Sequence, residues 1–419
     1  MKAWGVRGNR KAGLLMKEKF ESVNQEKQQQ MNRTLVMNLL RKKRLCSRAE
    51  LAKLTGLKRA TITNIINDFI QHDYVIEDGI LEGEKGRRCI GIRINGEKYR
   101  ILGIMITRQY YSIGIMGLSG EVYEERKYYL DARQNAHETM EDIKQKSRQM
   151  LEEYKHTDVL AIGIAVPGPY RVEDGEVLYI TNLIGWDGVM LAKDMKEEFD
   201  IPVYVENDAN CGAYAQLWFR EEELYKNDII YIIAGQGVGC GIISKGELLK
   251  GNMGLAGEIG HTSINFEGPK CECGNRGCLE KYCSTIAVME KVQKRIANGE
   301  YTMLKSGCSF EDFKNAVRCG DKLALEEYRM ACEFLAIGVV NIINQLNPEY
   351  VIIGDALAEV ESQLMRRVVN NKVKEHIRPV IWEKTQIKMN DLEYNPILIG
   401  AGVVAAQKVF ENPFQFIKE

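Results

Sequence analysis

The pattern of apolar and polar positions divides the chain into a helical head and a longer body of strands and helices. In the head, the segments "MNRTLVMNLLRKKRL", "SRAELAKLTGL" and "KRATITNIINDFIQHDY" repeat apolar residues at the spacing of a helix face. Ser47, with Glu50 three residues later, predicts a capping box that begins the second helix at Arg48, and Gly56 ends that helix. Two short helices joined by a tight turn with a glycine are typical of a helix-turn-helix, which we expect within residues 31–97.

The third helix of the head is expected to have a buried apolar face and an exposed polar face. In a helix-turn-helix, the exposed residues near the start of this helix enter the major groove of DNA. Hydroxyl, amide and guanidinium groups suit base edges and phosphates, and the candidates here are Lys58, Arg59, Thr61, Thr63, Asn64 and Asn67.

The segment "VIEDGILEGEKGRRCIGIRI" alternates as two strands around a glycine-rich tip. This pattern is typical of a wing, which would bring Lys85, Arg87 and Arg88 to the DNA backbone or minor groove. Residues 31–95 carry 13 Lys and Arg against 7 Asp and Glu, although the whole chain has a net charge of −1. A basic head on an acidic body indicates double-stranded DNA as a partner of the head. The alternative is a helical packing module with a solvated basic face. Residues 1–30 are expected to form a flexible extension.

The body, residues 98–419, repeats one succession of elements. "RILGIMITRQYYSIGIMGLSGEVYEERKYYL" predicts strands linked by hairpins, followed by a helix and the buried strand "VLAIGIAVPGPY". A second cycle begins at "NDIIYIIAGQGVGCGIISKGELLKG" and continues through "PEYVIIGDAL" to a last helix in "PILIGAGVVAAQKVF". The repetition predicts an α/β fold of two lobes with a ligand cleft between them.

Residues 257–284, "GEIGHTSINFEGPKCECGNRGCLEKYCS", concentrate potential metal ligands. His261, Cys271, Cys273 and Cys278 supply one imidazole and three thiolates, a tetrahedral set suited to structural zinc. The alternative is a group of reduced, buried cysteines without metal. The chain has 11 cysteines, an odd number that does not resemble a secreted disulfide framework. Because the start lacks a signal-peptide pattern and no long apolar run occurs, we expect a cytoplasmic protein without membrane contact.

Four segments resemble the ROK family (repressors, open reading frames, kinases), specifically its repressor branch. They are "SRAELAKLTGLKRATITNII" with the wing "GEKGRR", "VPGPY", "VENDAN", and "GNMGLAGEIGH" followed by "CECGNRGCLE". The resemblance implies a winged helix-turn-helix followed by a two-lobed, actin-like (ribonuclease-H-like) fold. ROK kinases phosphorylate sugars with ATP, and ROK repressors bind sugars as inducers. By matching positions, the resemblance implies sugar contacts at Asn207, Asp208, Glu258, His261 and Glu280, with Asp208 in the place of the kinases' catalytic base.

The positions that contact the nucleotide in ROK kinases are altered in this chain. In place of a D-x-G-G-T-type phosphate loop stands "GIMITRQYY", with Met105 at the Asp position and Thr107 and Arg108 where the kinases have glycines. Gln236 replaces the usual Thr of the second phosphate loop, and Asp355 replaces a glycine near the adenine site. The side chains of Thr107 and Arg108 should obstruct the first loop, where glycines let backbone N–H groups approach phosphates, and position 105 offers no carboxylate for magnesium. The intact sugar set beside these changes predicts sugar binding without phosphoryl transfer.

The sequence thus predicts a sugar-responsive transcriptional repressor of a carbohydrate-utilisation operon. Its expected effector is xylose or another monosaccharide, and its expected assembly is a homodimer or a dimer of dimers on operator DNA. We do not expect an enzyme; the alternative is an active ATP-dependent sugar kinase with an attached DNA-binding domain. The sequence leaves open whether the effector releases or strengthens DNA binding, and whether a protein partner sets the state in place of a sugar.

Overall fold

The computed structural model describes residues 25–82, 88–131, 135–171, 175–178, 180, 183, 185–220, 228–252 and 254–416. Lys85 and Arg87, expected at the tip of the wing, lie outside the described residues. No helix in the described ranges is long and apolar enough to cross a membrane.

A head of helices and a small sheet begins the described chain. Its elements are α1 (Gln25–Lys43), β1 (Cys46–Ser47), α2 (Arg48–Thr55), α3 (Arg59–Gln71), β2 (Val75–Glu82) and β3 (Arg88–Ile94). The strands form an antiparallel sheet in the order β1-β3-β2. The expectation of a flexible extension up to residue 30 was wrong for residues 25–30, which are helical. The Gln30 side chain donates a hydrogen bond to the carbonyl of Glu411, so this end of α1 is held by the far end of the chain.

The local signals of the head produce the predicted helices. The Ser47 hydroxyl accepts a hydrogen bond from the Glu50 N–H at 3.2 Å and caps α2, which begins at Arg48 as predicted. Among the described residues, no reciprocal bond from the Glu50 side chain completes a capping box. Gly56 takes a left-handed φ of 72° at the C-cap, a conformation that glycine adopts without strain.

The first lobe is built on a five-stranded sheet in the order β6-β5-β4-β7-β8. Strands β4 to β6 form antiparallel hairpins, and β7 and β8 pair in parallel with the sheet. The elements in chain order are β4 (Tyr99–Ile106), β5 (Tyr110–Gly117), β6 (Val122–Tyr129), α4 (Ala136–Glu153), β7 (Asp158–Val166), α5 (Leu191–Phe199), β8 (Val203–Asn207) and α6 (Asp208–Phe219).

The second lobe repeats this topology with the order β11-β10-β9-β12-β13, again antiparallel hairpins followed by parallel strands. The repetition confirms the predicted two-lobed α/β fold. Its elements are β9 (Ile229–Ala234), β10 (Val238–Ser244), β11 (Glu247–Leu248), α7 (Glu280–Cys283), α8 (Thr285–Ala297), α9 (Phe310–Arg318), α10 (Lys322–Leu346), β12 (Tyr350–Gly354), α11 (Ser362–His376), α12 (Pro379–Trp382), β13 (Gln386–Met389) and α13 (Pro396–Glu411). Single 3₁₀ turns occur at Ile259–His261 and Pro413–Phe416.

Helix α13 ends the second cycle in sequence but packs against the first lobe. Its residues share hydrophobic clusters with β4, α6 and the head, and Gly400 allows it to approach α6 closely. A β-carbon placed on Gly400 would lie 1.9 Å from the carbonyl oxygen of Cys211, so only glycine fits at this crossing. The core of the head continues through Tyr99, Trp218 and Phe410 into the first lobe. The head and this lobe therefore share one apolar core.

Candidate functional site

A cavity of about 170 Å³ lies between the two lobes. Its wall contains all the residues predicted to contact sugar: Asn207, Asp208, Glu258, His261 and Glu280. The wall also contains the residues that the sequence predicts at altered nucleotide-contact positions: Met105, Thr107, Arg108, Gln236 and Asp355. The fold thus brings both sets, which are scattered over 250 residues of sequence, to one place.

Asn207 and Asp208 stand where strand β8 meets helix α6. The Asn207 side-chain oxygen caps α6 by accepting from the N–H of Ala209 at 2.9 Å and of Asn210 at 3.4 Å. Its amide nitrogen is left as the group that can meet a ligand. Burial raises the pKa of Asp208 to about 7, and the bond from the Ala209 N–H opposes that rise. Near neutral pH this carboxyl group can both donate to and accept from a hydroxyl.

A buried carboxylate behind these residues was not predicted. Glu206 is 1% exposed and accepts hydrogen bonds from Tyr170 and from the Asn210 amide. Lys250, in the second lobe, donates to the same carboxylate at 2.5 Å. This ion pair ties the two lobes together directly behind the sugar candidates. The sequence hints at this buried carboxylate only by placing an acidic residue, Glu206, at the end of an otherwise apolar strand.

The "GEIGH" segment folds as a 3₁₀ turn against strand β10. Gly257 has a φ of 102°, and a β-carbon there would lie 1.8 Å from the carbonyl oxygen of Cys240, so a side chain is excluded. The turn presents Glu258 and His261 together, with 3.9 Å between a Glu258 carboxylate oxygen and His261 Nε2. Burial raises the pKa of Glu258 above its usual range, and the neighbouring imidazole opposes that rise.

The four predicted metal ligands converge on one point. Their ligand atoms lie within 4.8 Å of one another. The Sγ atoms of Cys273 and Cys278 are 3.7 Å apart, and Cys271 Sγ is 3.6 Å from His261 Nδ1. Nδ1 thus faces the thiols while Nε2 faces Glu258 and the cavity. The cluster can hold a metal ion.

Glu280 lies closer to this cluster than its predicted role alone suggests. One of its carboxylate oxygens is 3.4 Å from His261 Nδ1 and 3.4 Å from Cys271 Sγ. The carboxylate therefore stands between the cluster and the cavity, a position that the sequence spacing did not indicate.

The turn between β4 and β5, where the sequence predicts an altered phosphate loop, is held by hydrogen bonds of the Thr107 side chain. The Thr107 hydroxyl donates to the Tyr110 carbonyl at 2.7 Å and accepts from the N–H groups of Gln109 and Tyr110. Met105 is 1% exposed and packs in the core between the lobes. Asp355 has a φ of 74°, and its carboxylate occupies the space beside Gly235, where a β-carbon would lie 1.9 Å from it.

The candidate DNA contacts lie on the outer face of α3 and its preceding turn. Lys58, Arg59, Thr63, Asn64 and Asn67 are exposed, Thr61 is half-buried, and Arg88 is exposed at the start of β3. On the opposite face, Ile62, Ile65, Ile66 and Phe69 are buried as the helical pattern predicts. Lys58 is the N-cap of α3 and makes no capping hydrogen bond through its side chain.

Comparison with known sequences identifies the family of this chain. The model of the ROK family matches residues 101–408, well over half of the chain. The chain belongs to the ROK family. It is 32% identical to the xylose repressor of Caldicellulosiruptor bescii over 82% of this chain and 88% of that protein. It is 29% identical to the Bacillus subtilis xylose repressor over 82% and 87% of the two chains.

Further relatives agree with the repressor branch of the ROK family. The DNA-binding transcriptional dual regulator NagC of Escherichia coli is 26% identical over 80% of this chain and 83% of its own. A solved ROK family transcriptional regulator, a homolog of the E. coli MLC protein, superposes with a TM-score of 0.77 at 25% identity, covering 91% of this chain and 96% of that one. A ROK glucokinase from Streptomyces griseus, solved with glucose and AMPPNP, shares the fold with a TM-score of 0.64 at 24% identity; it covers only 74% of this chain but 99% of its own.

Proposed function

We propose that this ROK protein is a transcriptional repressor whose affinity for operator DNA is set by a monosaccharide bound between the lobes. One observation carries the proposal: α6 and α13 both begin at the cavity and both end against the head. Asn207, Asp208 and Ile397 line the cavity at the helix starts. Trp218 and Glu411 lie at the other ends, in contact with the head.

The contacts at the head are specific. Arg41 of α1 donates a hydrogen bond to the Trp218 carbonyl at 2.7 Å, and its guanidinium carbon lies 3.9 Å from the Trp218 ring centroid. Thr34 donates to the Glu411 carbonyl, and the Tyr74 hydroxyl donates to that of Pro413 at 2.5 Å. A sugar bound both by Asp208, at the start of α6, and by Glu258 of the second lobe is expected to change the relative placement of the two lobes. Because α6 is fixed to α1, that change alters the placement of the head.

The residues at the positions where ROK kinases contact the nucleotide favour a sugar sensor over an enzyme. Two backbone N–H groups of the first loop are satisfied by Thr107, and the Asp355 carboxylate occupies the space beside Gly235. The cavity of about 170 Å³ is small beside the roughly 300 to 1,000 Å³ of pockets for drug-sized ligands. It suits one monosaccharide better than a sugar together with a nucleotide.

We assign zinc to the cluster of His261, Cys271, Cys273 and Cys278. A tetrahedral site with Zn–S distances of about 2.3 Å spaces its sulfurs about 3.8 Å apart. The 3.7 Å between Cys273 and Cys278 fits that spacing. Zinc there would hold the loop and fix the His261 ring, which leaves Nε2 for the cavity side.

Operator binding is assigned to the exposed face of α3 and to the wing. Repressors that read a two-fold operator do so as dimers whose half-sites are about one helical turn apart. We therefore propose a homodimer, or a dimer of dimers, on double-stranded DNA. Xylose is the first effector to test, because the relatives from Caldicellulosiruptor bescii and Bacillus subtilis are named xylose repressors.

The proposal is tested by DNA binding of the full chain with and without sugars. An operator is first selected from random duplexes, and its affinity is then measured by fluorescence anisotropy against a panel of monosaccharides in the absence of ATP. We expect one sugar to change the affinity by about tenfold, within the usual range of allosteric coupling. Glu258→Ala should keep operator binding and lose the response. Steady ATP-dependent turnover of a sugar, abolished by Asp208→Asn, would instead establish the kinase alternative.

A further inference from the structure

Helix α11 of the second lobe carries a row of exposed cations. Its buried side packs into the core of that lobe through Leu364, Met365, Val369 and Val373. The side chains on the opposite side share one helix face because they lie three or four positions apart. We call this surface, with two cations that follow the helix, the basic face; it consists of Arg366, Arg367, Asn371, Lys374, Arg378 and Lys384, all exposed.

The charge of this region is opposite to that of the body around it. Residues 362–389 carry 7 Lys and Arg against 2 Asp and Glu. The body as a whole, residues 98–419, carries 37 Lys and Arg against 47 Asp and Glu. The acidic average of the body therefore conceals one positive surface, and such a surface attracts polyanions.

The cations of the basic face have no anionic partner in the part of the chain that the structure describes. There, no Asp or Glu oxygen lies within 4.0 Å of their side-chain nitrogens. Other cations of the body are paired, as Arg148 is with Glu198 and Arg295 with Glu300. The charge of the basic face is therefore not neutralised by the described residues.

The composition of the basic face suits nucleic acid better than protein. Apart from Val380 on α12, no large apolar side chain is exposed in residues 362–389, all of which the structure describes. Protein interfaces usually depend on buried aromatic or apolar anchors, whereas protein–DNA interfaces are polar and positively charged. Guanidinium groups and amides donate to phosphate oxygens, and a row of cations along one helix is typical of contacts to a nucleic-acid backbone.

The basic face and the head are both remote from the cavity. In the second lobe, Thr385, just after α12, donates to the Pro348 carbonyl near the start of β12, whereas Asp355, after the end of that strand, lines the cavity. In the first lobe, the head shares its core with Tyr99 at the start of β4, whereas Ile106 at the end of β4 lines the cavity. Neither basic surface therefore belongs to the sugar site, and a DNA duplex can contact both without entering the cavity.

We propose that the basic face is a second contact surface for double-stranded DNA, which binds phosphates of the duplex that flanks the operator. This inference rests on the proposed function and adds a contact outside the head. Arg366 and Lys374 lie about 12 Å apart along the helix axis, at 1.5 Å per residue, which is enough to meet several phosphates at roughly 3.4 Å per charge on one strand. Phosphate contacts add affinity without reading sequence, so the sequence of the flanks should not matter.

DNA binding of the full chain to two duplexes tests the basic face. One duplex holds the selected operator alone, and the other adds about two helical turns of arbitrary sequence on each side. We expect the wild type to bind the longer duplex about tenfold or more tightly, with a slope of log affinity against log salt that is steeper by about 0.9 for each phosphate contacted.

A triple variant and a matched control locate the contact. The variant with Arg366→Gln, Lys374→Gln and Arg378→Gln should lose the advantage of the longer duplex and keep its affinity for the operator alone, which also shows that it is folded. The control variant removes the same charge from exposed lysines elsewhere and should keep the advantage; its changes are Lys155→Gln, Lys193→Gln and Lys322→Gln.

Failure of this inference is distinguishable from failure of the proposed function. If no operator can be selected from random duplexes, the repressor is refuted and the second surface with it. If the operator is bound but the flanks add no affinity, or if the triple and control variants lose equally, the second surface is refuted and the repressor stands. An equal loss of affinity for both duplexes in the triple variant would also refute a contact outside the operator. Polyglutamate that binds the wild type but not the triple variant, without any gain from the flanks, would assign the basic face to an acidic protein and overturn the inference.

Discussion

Single residues of the cavity stabilise the fold and also belong to the proposed sugar site. Asn207 caps α6 with its oxygen and keeps its amide for a ligand, and Asp208 forms the first turn of the same helix. Capping of α6 by Asn207 is therefore compatible with the proposed sugar contacts of Asn207 and Asp208. The two ring nitrogens of His261 also have different neighbours, since Nδ1 faces the thiol cluster and Nε2 faces Glu258.

Asp208→Asn should change the pH dependence of stability. The folded pKa of Asp208 is about 7 against an ordinary value of 3.8, so between these values the folded protein holds a proton that the unfolded chain releases. This contribution to stability is therefore lost as the pH rises towards and through 7. In urea unfolding, the variant should gain about 2 to 3 kcal/mol on wild type between pH 5 and pH 8, because the two units from pH 5 to the folded pKa of about 7 correspond to about 1.4 kcal/mol each. Parallel pH profiles for the two proteins would contradict the raised pKa.

Cys278→Ser should remove a bound zinc ion. Metal analysis of the wild type is expected to give about one zinc per chain, and the variant should lose it because a closed site needs all four ligands. Sugar affinity should also fall by about tenfold or more, since His261 and Glu280 lose their support. Cys319→Ser is the matched control, because Cys319 is exposed and outside the cluster. A wild type without metal, or a variant that keeps it, would refute the assignment.

At the scale of elements, two helices connect the cavity to the head. Gly400 packs α13 against α6 with no room for a side chain, so the two helices are expected to move as one body. Their far ends meet the head through Arg41, Gln30 and Thr34. Trp218 also stacks on Phe410 at 5.6 Å, which joins the two helix ends to each other.

Arg41→Met should separate sugar binding from the DNA response. The variant removes the hydrogen bond to the Trp218 carbonyl and the cation–π contact but keeps an apolar chain of similar length. Sugar affinity by calorimetry should stay near the wild-type value, and the sugar-induced change in operator affinity should shrink from about tenfold to about twofold.

Arg44→Met is the control for this prediction. Its ion pair with Glu121 also joins the head to the first lobe, but Arg44 is 58% exposed, and exposed pairs contribute little. An undiminished response in Arg41→Met, or an equal loss in Arg44→Met, would rule out the Arg41–Trp218 contact as the specific connection.

At the scale of the whole molecule, the head is an extension of the first lobe. The predicted boundary at residues 97 and 98 marks a change of sequence pattern, but the apolar core crosses it through Tyr99 and Ile101. Because the head shares its core with the first lobe, we expect it to follow that lobe if the relative placement of the two lobes changes.

Arg59→Ala should weaken operator binding without affecting sugar affinity. Arg59 is exposed at the start of α3, where a contact to a phosphate or a base edge is expected. If it contacts a phosphate, the slope of log affinity against log salt should fall by about 0.9. Lys322→Ala removes an 89% exposed cation from α10 in the second lobe and should change neither quantity. Equal losses of DNA and sugar binding in Arg59→Ala would contradict the division of labour between head and body.

The sequence by itself determined the local elements, the duplicated α/β pattern, the ROK lineage and the types of residue in the site. These follow from short-range periodicity, capping and spacing, which act within a few residues. It could not place α13 against the first lobe, pair Glu206 with Lys250, or bring Arg108 to Gly237. Those contacts join residues more than 40 positions apart, and they depend on how the two sheets pack and which glycines admit a close approach. Packing of the whole chain decided them, because side chains far apart in sequence meet only once their backbones are in place.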